Sequence, residues 1–318
     1  MAYISLLSYK ILVLSWITAQ RQLIHDKTVS RTQWDKSYDF IVVGAGAAGA
    51  VVANKLSECQ SVRVLLLEAG GAQSAIYNDI PGMVSKIYTD NVNKWKYYNE
   101  PHDNYGQQYA GGRVPDQRGK TLGGSTAHNT MYYNRGNRRD FDEWANTYGA
   151  VGWSYRDVLP VFREWENNTD PVIVANNPDY HGTHPEDQVN IVDAVRMQFY
   201  LLEVTDMAKY IQPLPSFADI GCPVCPGKYM YECSEGLKCY IRFNSLSSYH
   251  PAGSCRMGAI ERPDVVVDPQ LRVKGANNLR VCDASVFPVI PNANTAAAAI
   301  TVGYKCAQII KDYYHLND

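Results

Sequence analysis

The sequence has little charge, and the charge that it carries nearly cancels. Of its 318 residues 19% are charged, and the formal net charge is −2. A protein that holds nucleic acid mainly through phosphate contacts needs an excess of lysine and arginine, so this balance argues against such a partner. The hydrophobic content of 46% is that of a globular protein, neither disordered nor fibrous. The sequence contains no internal repeat and no low-complexity tract.

No apolar run is long enough to span a membrane as a helix. The one candidate, residues 11–19, follows Lys10 and falls well short of the roughly 20 residues that a spanning helix needs. Its length fits the apolar part of a secretory signal with cleavage near Ala19, and an apolar N-terminal helix is the alternative. We therefore expect residues 1–37 to be a signal peptide and polar linker, and the protein to be secreted.

Zinc-binding patterns are also poorly represented, although the chain has eight cysteines. Four of them lie close together: Cys222, Cys225, Cys233 and Cys239. A zinc site would need a second close pair or nearby histidines, and this cluster has neither. Disulfides are expected in an oxidising compartment and free thiols in the cytosol, so the pairing stays open. We predict no metal site.

A strand–turn–helix–strand pattern begins at residue 38. Residues 38–43, YDFIVV, form a short β-rich apolar run that predicts a buried strand. Residues 44–58 read as a glycine turn and an alanine-rich helix, and residues 62–71 as a second strand that brings Glu68 to its end. This order predicts the α/β class, with a doubly wound sheet.

The turn of this unit has the spacing of a dinucleotide-binding site. Gly44, Gly46 and Gly49 form GxGxxG, in which the first glycine permits the tight turn, the second admits a pyrophosphate and the third lets the helix pack on the strand. Glu68 follows 19 residues after Gly49, where a carboxylate can accept hydrogen bonds from the ribose hydroxyls. An acid at this place disfavours a 2′-phosphate, so the pattern predicts FAD or NAD.

The remaining chain gives simpler signals. Residues 72–115 read as irregular, and residues 265–287 alternate strand and turn signals. Amphipathic or apolar helices are predicted over residues 138–149, 154–167, 187–211 and 294–314. Asn294 is placed to cap the last of these helices.

Residues 119–131, GKTLGGSTAHNTM, resemble the first signature of the glucose-methanol-choline (GMC) flavoenzyme family. The following MYYNRGNRRDFDEW resembles the continuation of that signature. The resemblance implies that this glycine–serine turn lies against a flavin, with Asn129 in contact with the cofactor. The cofactor is then FAD, because an NAD dehydrogenase gives this stretch no role.

Residues 248–314 resemble the closing segments of the same family. The resemblance makes His250 the catalytic base and Asn294 its catalytic partner. In the glycine–serine turn Thr126 replaces the usual serine, which is a mild change. Two departures affect the expected walls of the active site: Asn292-Ala293 replaces Ser-Gly, and Ala296 replaces an asparagine.

The residues assigned to FAD by the motif and the resemblance are Gly44, Gly46, Ala47, Ala48, Gly49, Glu68, Gly123, Gly124, Ser125, Asn129, Thr130, Met131, Asp283, Ala284, Asn294 and Thr295. The implied fold is a Rossmann-like FAD-binding domain with the remnant of an α+β substrate domain. The predicted regions are an N-terminal FAD-binding part, 38–184, and a C-terminal part, 185–318.

The implied reaction oxidises a CH–OH group of a small alcohol or sugar, with hydride transfer to flavin N5. Such a reaction needs a base for the hydroxyl proton, which a neutral histidine can supply. An asparagine can hydrogen-bond the developing alkoxide, and the positive end of a helix from Thr295 would face the reduced flavin. The identities of the alcohol and of the electron acceptor stay open.

The two family-like segments, 38–183 and 188–314, adjoin one another, whereas the family has a long middle portion between them. That portion completes the cofactor domain and builds most of the substrate domain. An alternative function is therefore a catalytically impaired flavin-binding or interaction protein that has lost most of its substrate wall.

Overall fold

The computed structural model describes residues 6–27, 34–73, 78, 93–166, 216–227, 229–244 and 248–316. The chain divides into two compact units. Unit 1 comprises residues 1–95, 118–183 and 250–318, and unit 2 comprises residues 96–117 and 184–249. The predicted boundary at 184 and 185 and the predicted helix over 187–211 lie outside the described residues.

The first helix, α1 (Leu6–Lys27), is longer than its apolar run. The helix continues into the polar residues that were predicted to belong to a signal peptide and linker. The polar residues 20–27 include glutamine, arginine and lysine, which are good helix formers and can extend a helix begun by the apolar segment. Among the helices in the described ranges, none is long and apolar enough to cross a membrane.

The predicted strand–helix–strand unit is present. Strand β1 (Phe40–Val43) is followed by helix α2 (Ala47–Ser57) and strand β2 (Val64–Leu67). The two strands pair in parallel, with Phe40 opposite Val64 and Val43 opposite Leu67. Parallel pairing requires a crossover connection, which α2 provides.

Six further α-helices and β-strands lie in the described ranges, beside short 3₁₀ helices. They are β3 (Lys94–Tyr98), β4 (Pro115–Gly119), α3 (Arg138–Asn146), α4 (Tyr155–Trp165), α5 (Ser234–Asn244) and α6 (Ala296–Tyr314). Strands β3 and β4 form a second sheet. The prediction that residues 72–115 are irregular is therefore wrong where β3 lies. Residues 265–287, for which the sequence shows strand and turn signals, form isolated β-bridges and a 3₁₀ turn in place of continuous strands.

Both middle helices begin with reciprocal caps that the sequence encodes locally. Asn137 and Asp140 form a capping box at α3, and Ser154 and Asp157 form one at α4. Each box satisfies backbone N–H groups that the first helical turn leaves without partners. The caps explain why these two predicted helices start close to where the sequence places them.

The core of unit 1 lies between α2, α3, α4 and α6. Phe141, Trp144, Trp153 and Phe162 are each at most 1% exposed. Both indole N–H groups donate to carbonyls, Trp144 to Val289 and Trp153 to Pro269, each at 2.9 Å. These large rings are therefore buried without an unsatisfied donor.

Helix α6 approaches α2 closely because small residues line the contact. A Cβ placed on Gly303 would lie 2.5 Å from the carbonyl oxygen of Ala48, which is closer than real contacts allow. Glycine at this position thus permits backbone-to-backbone packing of α6 on the helix that follows the glycine turn.

Unit 2 contains the cysteine cluster and a small core around Phe217 and Leu237. The cluster forms two disulfides, Cys222–Cys239 and Cys225–Cys233, which resolves the pairing that the sequence left open. A third disulfide, Cys282–Cys306, lies in unit 1. In the part of the chain that the structure describes, no group of three or more metal-ligating side chains comes together.

Candidate functional site

The three glycines of the GxGxxG turn occupy different environments. Gly44 has a φ of +100°, a backbone conformation that residues with a side chain rarely adopt. A Cβ on Gly49 would lie 2.0 Å from the carbonyl oxygen of Gly44, so this glycine lets α2 pack on the turn. A Cβ on Gly46 would meet no atom within 4 Å, so the space above this residue is open. That open space is where a pyrophosphate would approach the backbone.

The second glycine turn lies directly on the first. The N–H of Gly123 donates to the carbonyl oxygen of Ala45 at 2.8 Å. A Cβ on Gly124 would be 2.9 Å from the Cα of Gly46. We predicted from the sequence that these glycines contact a flavin. In the structure the absence of a side chain at Gly124 also lets the second glycine turn pack against the first.

Segment 70–71 joins the same cluster. The N–H of Leu122 donates to the carbonyl oxygen of Gly71 at 3.0 Å, and the Thr121 hydroxyl donates to the same oxygen at 2.8 Å. The turns after β1 and after β2 and the glycine–serine turn therefore form one backbone cradle.

Glu68 stands in this cradle at the end of β2, as predicted. Its Oε2 accepts the N–H of Ala45 at 2.7 Å, and its Oε1 accepts the N–H of Gly70 at 2.8 Å. Each carboxylate oxygen has two acceptor sites, so these bonds leave room for ribose hydroxyls. The backbone bonds also fix the carboxylate before any ligand arrives.

The predicted catalytic pair is brought together across 44 residues of sequence. Asn294 Nδ2 lies 3.1 Å from His250 Nε2, and Thr295 Oγ1 lies 3.1 Å from His250 Nδ1. The imidazole is half-buried, and burial lowers its pKa below the ordinary 6.5, with a further contribution from the positive charge of Arg118. His250 is therefore held neutral near pH 7, the state that a general base requires.

Asn294 is not the helix cap that the sequence predicts. Helix α6 begins at Ala296, and its N-cap residue is Thr295, which makes no side-chain capping bond. The Asn294 side chain instead bonds His250 and Asn134. Asn294 therefore bonds the half-buried imidazole of His250 and does not cap the helix.

Backbone hydrogen bonds hold the His250 segment against the turn at 284–286. The N–H groups of Gly253, Cys255 and Met257 donate to the carbonyls of residues 284, 285 and 286 at 3.2, 2.8 and 2.9 Å. Asp283 accepts the N–H and hydroxyl of Ser285, and so caps that 3₁₀ turn. Asp283 remains exposed and Ala284 partly so.

Arg118 acts electrostatically on the histidine, His250, and adjoins a residue of the cradle contact in sequence. The next residue, Gly119, packs so closely on the second glycine turn that a Cβ there would lie 2.1 Å from the carbonyl oxygen of Gly124. The nucleotide cradle and the histidine site are therefore neighbours within unit 1.

The other predicted cofactor residues take mixed positions. Ser125 Oγ accepts the N–H of Gly119 at 3.2 Å, and Asn129 Oδ1 accepts the N–H of Met131 at 2.9 Å. Thr130 and Met131 are exposed, whereas Ala48 is buried against α6. Ala47, at the start of α2, is partly exposed.

Sequence reasoning missed Arg118 and Asn134. Asn134 Nδ2 donates to Asn294 Oδ1 at 3.1 Å, across a sequence separation of 160 residues. Neither residue belongs to a recognisable spacing, and only the tertiary fold brings them to the histidine.

The fold and cradle define a dinucleotide-binding α/β protein with an adjoining histidine–asparagine site. Comparison of the sequence with protein-family profiles identifies the family within this class. The N-terminal GMC oxidoreductase profile matches residues 38–214, and the C-terminal GMC oxidoreductase profile matches residues 166–303. The chain belongs to the GMC oxidoreductase family.

Two curated relatives illustrate the match. Glucose dehydrogenase (FAD, quinone) of Drosophila pseudoobscura pseudoobscura is 42% identical over 151 residues, which is 48% of this chain and 23% of the relative. Oxygen-dependent choline dehydrogenase of Xanthomonas axonopodis pv. citri is 43% identical over 149 residues, or 46% and 25% of the two chains. The matched segments thus span about a quarter of the length of these relatives.

Solved structures support the fold. Pyridoxine 4-oxidase of Mesorbium loti superposes with a TM-score of 0.60 at 16% identity, covering 89% of this chain and 100% of that one. A formate oxidase variant of Aspergillus oryzae gives 0.62 at 14% identity, with the same coverages. These structures confirm the predicted α/β fold, and membership of the GMC oxidoreductase family supports the predicted FAD cofactor.

Proposed function

We propose that the protein binds FAD in the cradle of unit 1 and oxidises a CH–OH group of a small alcohol or sugar. The observation that carries this proposal is the neutral, half-buried His250 beside Asn294, next to a backbone cradle open at Gly46. The relatives named for glucose and choline dehydrogenation act on compounds that carry such a group.

The residues that would hold FAD divide by chemistry. The open backbone at Gly46 and the N-terminus of α2 would receive the pyrophosphate, because helix N-termini offer free N–H groups to anions. Glu68 would accept the ribose hydroxyls, and the turn at 123–131 would lie against the flavin. FAD, when bound, supplies the acceptor for a hydride with its two electrons.

The proton would leave by way of His250. An alcohol whose hydroxyl takes the place of the Asn294 N–H at the Nε2 lone pair gives its proton to that nitrogen as the C–H hydrogen departs as hydride, leaving a carbonyl product. Asn294 Nδ2 already lies 3.1 Å from Nε2, so its N–H groups stand where the alcohol oxygen gains negative charge. Burial of His250 keeps the base unprotonated before substrate binds.

A second candidate function is a flavin-binding protein with impaired catalysis. Strand β1 leaves Ile41 59% and Val43 80% exposed, on a parallel sheet of the kind that proteins normally cover on both faces. An incompletely covered sheet favours loose packing, and hydride transfer needs a closed pocket that holds the reactants at reacting distance.

One experiment separates the two functions. The full chain, loaded with FAD, is mixed without oxygen with primary alcohols, sugars and choline, and the flavin absorbance is followed. Bleaching by any of these supports the oxidoreductase, and a bound flavin that only dithionite reduces supports the second candidate. The His250→Ala variant should bleach about 10²–10⁴-fold more slowly with unchanged FAD content, and His102→Ala, at an exposed histidine of unit 2, should match the wild type.

We further propose that the protein is secreted. The support is the apolar run at 11–19 and the three disulfides, since disulfides persist in oxidising compartments. Expression in a secreting cell, followed by N-terminal sequencing of the protein in the medium, tests this. A chain retained inside the cell with residues 1–19 intact would contradict it.

A further inference from the structure

Four side chains of unit 1 form a continuous chain of hydrogen bonds. Asn134 Nδ2 is 3.1 Å from Asn294 Oδ1, Asn294 Nδ2 is 3.1 Å from His250 Nε2, and His250 Nδ1 is 3.1 Å from Thr295 Oγ1. Asn134 thus contacts Asn294 but not His250, and it lies at the opposite end of this hydrogen-bond chain from Thr295.

The direction of this chain decides which nitrogen of His250 carries the proton. If Asn134 donates to Asn294, then Asn294 presents its NH₂ group to His250, and Nε2 must be the acceptor. The proton of the neutral ring then sits on Nδ1 and is donated to Thr295. With both amides turned over, Asn294 would present its oxygen, and Nε2 would have to carry the proton.

The surroundings of Asn134 favour the first direction. Its Oδ1 is buried and has no hydrogen-bond partner among the described residues. Turning the amide over would bury an NH₂ group at that place, and unpaired buried N–H groups are rarer in proteins than under-satisfied carbonyl oxygens. The first direction therefore leaves the less costly group without a partner.

The backbones that carry the two asparagines are also locked together. A Cβ on Gly136 would lie 3.2 Å from the Cβ of Ala293, so the segments are in close contact. Asp140 Oδ2 accepts the N–H of Asn292 at 2.7 Å. The contact between the two amides is therefore set by neighbouring backbone contacts and is not an isolated surface contact.

We infer that Asn134 is a positioning residue that orients the amide of Asn294 and thereby fixes His250 as the Nδ1–H tautomer, with its Nε2 lone pair accepting the N–H of Asn294. The catalytic use of that lone pair rests on the proposed function. The tautomer itself does not, because it is a property of the folded chain without substrate.

Substitution of Asn134 by aspartate tests the inference most sharply. A carboxylate accepts hydrogen bonds but cannot donate one, so Asn294 must turn its NH₂ group to Asp and its oxygen to His250. The His250 tautomer should switch to Nε2–H. Its titration midpoint should rise by about one pH unit, because the amide oxygen and the added negative charge both favour the imidazolium, against the opposing charge of Arg118.

Asn137→Asp is the matched control. Asn137 caps α3 through an oxygen that accepts the N–H of Arg139, which aspartate can equally accept. The control adds the same charge three residues away without contacting Asn294. Asn134→Ala, which removes the amide and adds no charge, should give a mixture of both tautomers.

The measurement is NMR of the ¹⁵N,¹³C-histidine-labelled full chain with FAD, in which ring chemical shifts report the protonated nitrogen. The chain has seven histidines, and His250→Gln identifies the signal of interest. Nδ1–H in the wild type, with a switch in Asn134→Asp and none in Asn137→Asp, supports the inference. Nε2–H in the wild type would overturn it, even if no variant folds. Unchanged tautomers in both Asn134 variants would overturn it as well. None of these outcomes depends on turnover, so a chain that oxidises no alcohol can still show the predicted tautomer.

Discussion

The glycine turn makes a prediction in which two similar substitutions have opposite consequences. A Cβ at Gly49 would lie 2.0 Å from the carbonyl oxygen of Gly44, whereas a Cβ at Gly46 would meet nothing within 4 Å. Gly46 also has a φ of −80°, which alanine adopts readily. Gly49→Ala should therefore damage the fold, and Gly46→Ala should damage only ligand binding.

The magnitudes follow from these contacts. Relief of the Gly49→Ala overlap requires a backbone shift, and overpacking of this kind costs about 1–3 kcal/mol. The gain in helix propensity from glycine to alanine offsets up to about 1 kcal/mol of that cost. We expect a net loss of about 2 kcal/mol, or a fall in Tm of about 4 °C. Gly46→Ala should lose less than about 1 kcal/mol, the usual cost of alanine at an N-cap.

The assay measures stability and cofactor binding separately. Thermal unfolding of the FAD-free variants is followed by circular dichroism, and FAD binding by quenching of flavin fluorescence. Gly46→Ala should bind FAD at least about tenfold more weakly, and Gly46→Val should retain none, since the branched side chain fills the space of the pyrophosphate. Wild-type FAD affinity in Gly46→Val would refute the cradle, and wild-type stability in Gly49→Ala would refute the packing argument.

Three further predictions concern the base, the buried ion pair and the disulfide of unit 1. Because burial and then Arg118 lower the pKa of His250, alcohol-dependent flavin reduction should persist below pH 6.5 and fall only at lower pH, an acid limb that His250→Gln should abolish. Because the pKa of His250 is lower in the folded chain, the unfolded chain takes up this proton at a higher pH, and the free energy of unfolding falls as the pH falls. Urea titrations should show this loss in the wild type and a smaller loss in His250→Gln. Arg135→Ala should destabilise the fold by about 3–5 kcal/mol in urea titrations because it leaves the buried Glu166 carboxylate without its partner, and a double replacement by Met and Leu should recover most of that loss. Joint replacement of Cys282 and Cys306 by alanine should cost about 3 kcal/mol of unfolding free energy, and an unchanged urea midpoint would contradict the disulfide.

The nucleotide-binding half of the site could be predicted from the sequence because its rules are local. The glycine spacing, the preceding β-rich run and Glu68 lie within about 30 residues of each other, and each reports a nearby backbone requirement. The capping boxes of α3 and α4 are equally local. Such signals survive in the folded chain because no distant group competes for them.

The prediction failed where tertiary contacts override local rules. Asn294 has the sequence position of a cap, but its amide bonds His250 and Asn134. Strand β3 was missed although the first four residues of KWKYY alternate polar and aromatic side chains, because the run is short and lies in a stretch rich in Tyr, Asn, Pro and Gly. The link from Asn134 to Asn294 spans 160 residues, and neither periodicity nor spacing reports a contact of that kind.

In the proposed function this chain holds FAD in the cradle formed by the two glycine turns and Glu68. The most direct measurement is the flavin content of the purified, folded full chain after denaturation, with the released compound identified by mass. We expect close to one FAD per chain in the wild type and none in Gly46→Val. Well-folded wild-type protein that takes up no flavin when FAD is supplied, or that releases NAD instead, would contradict it.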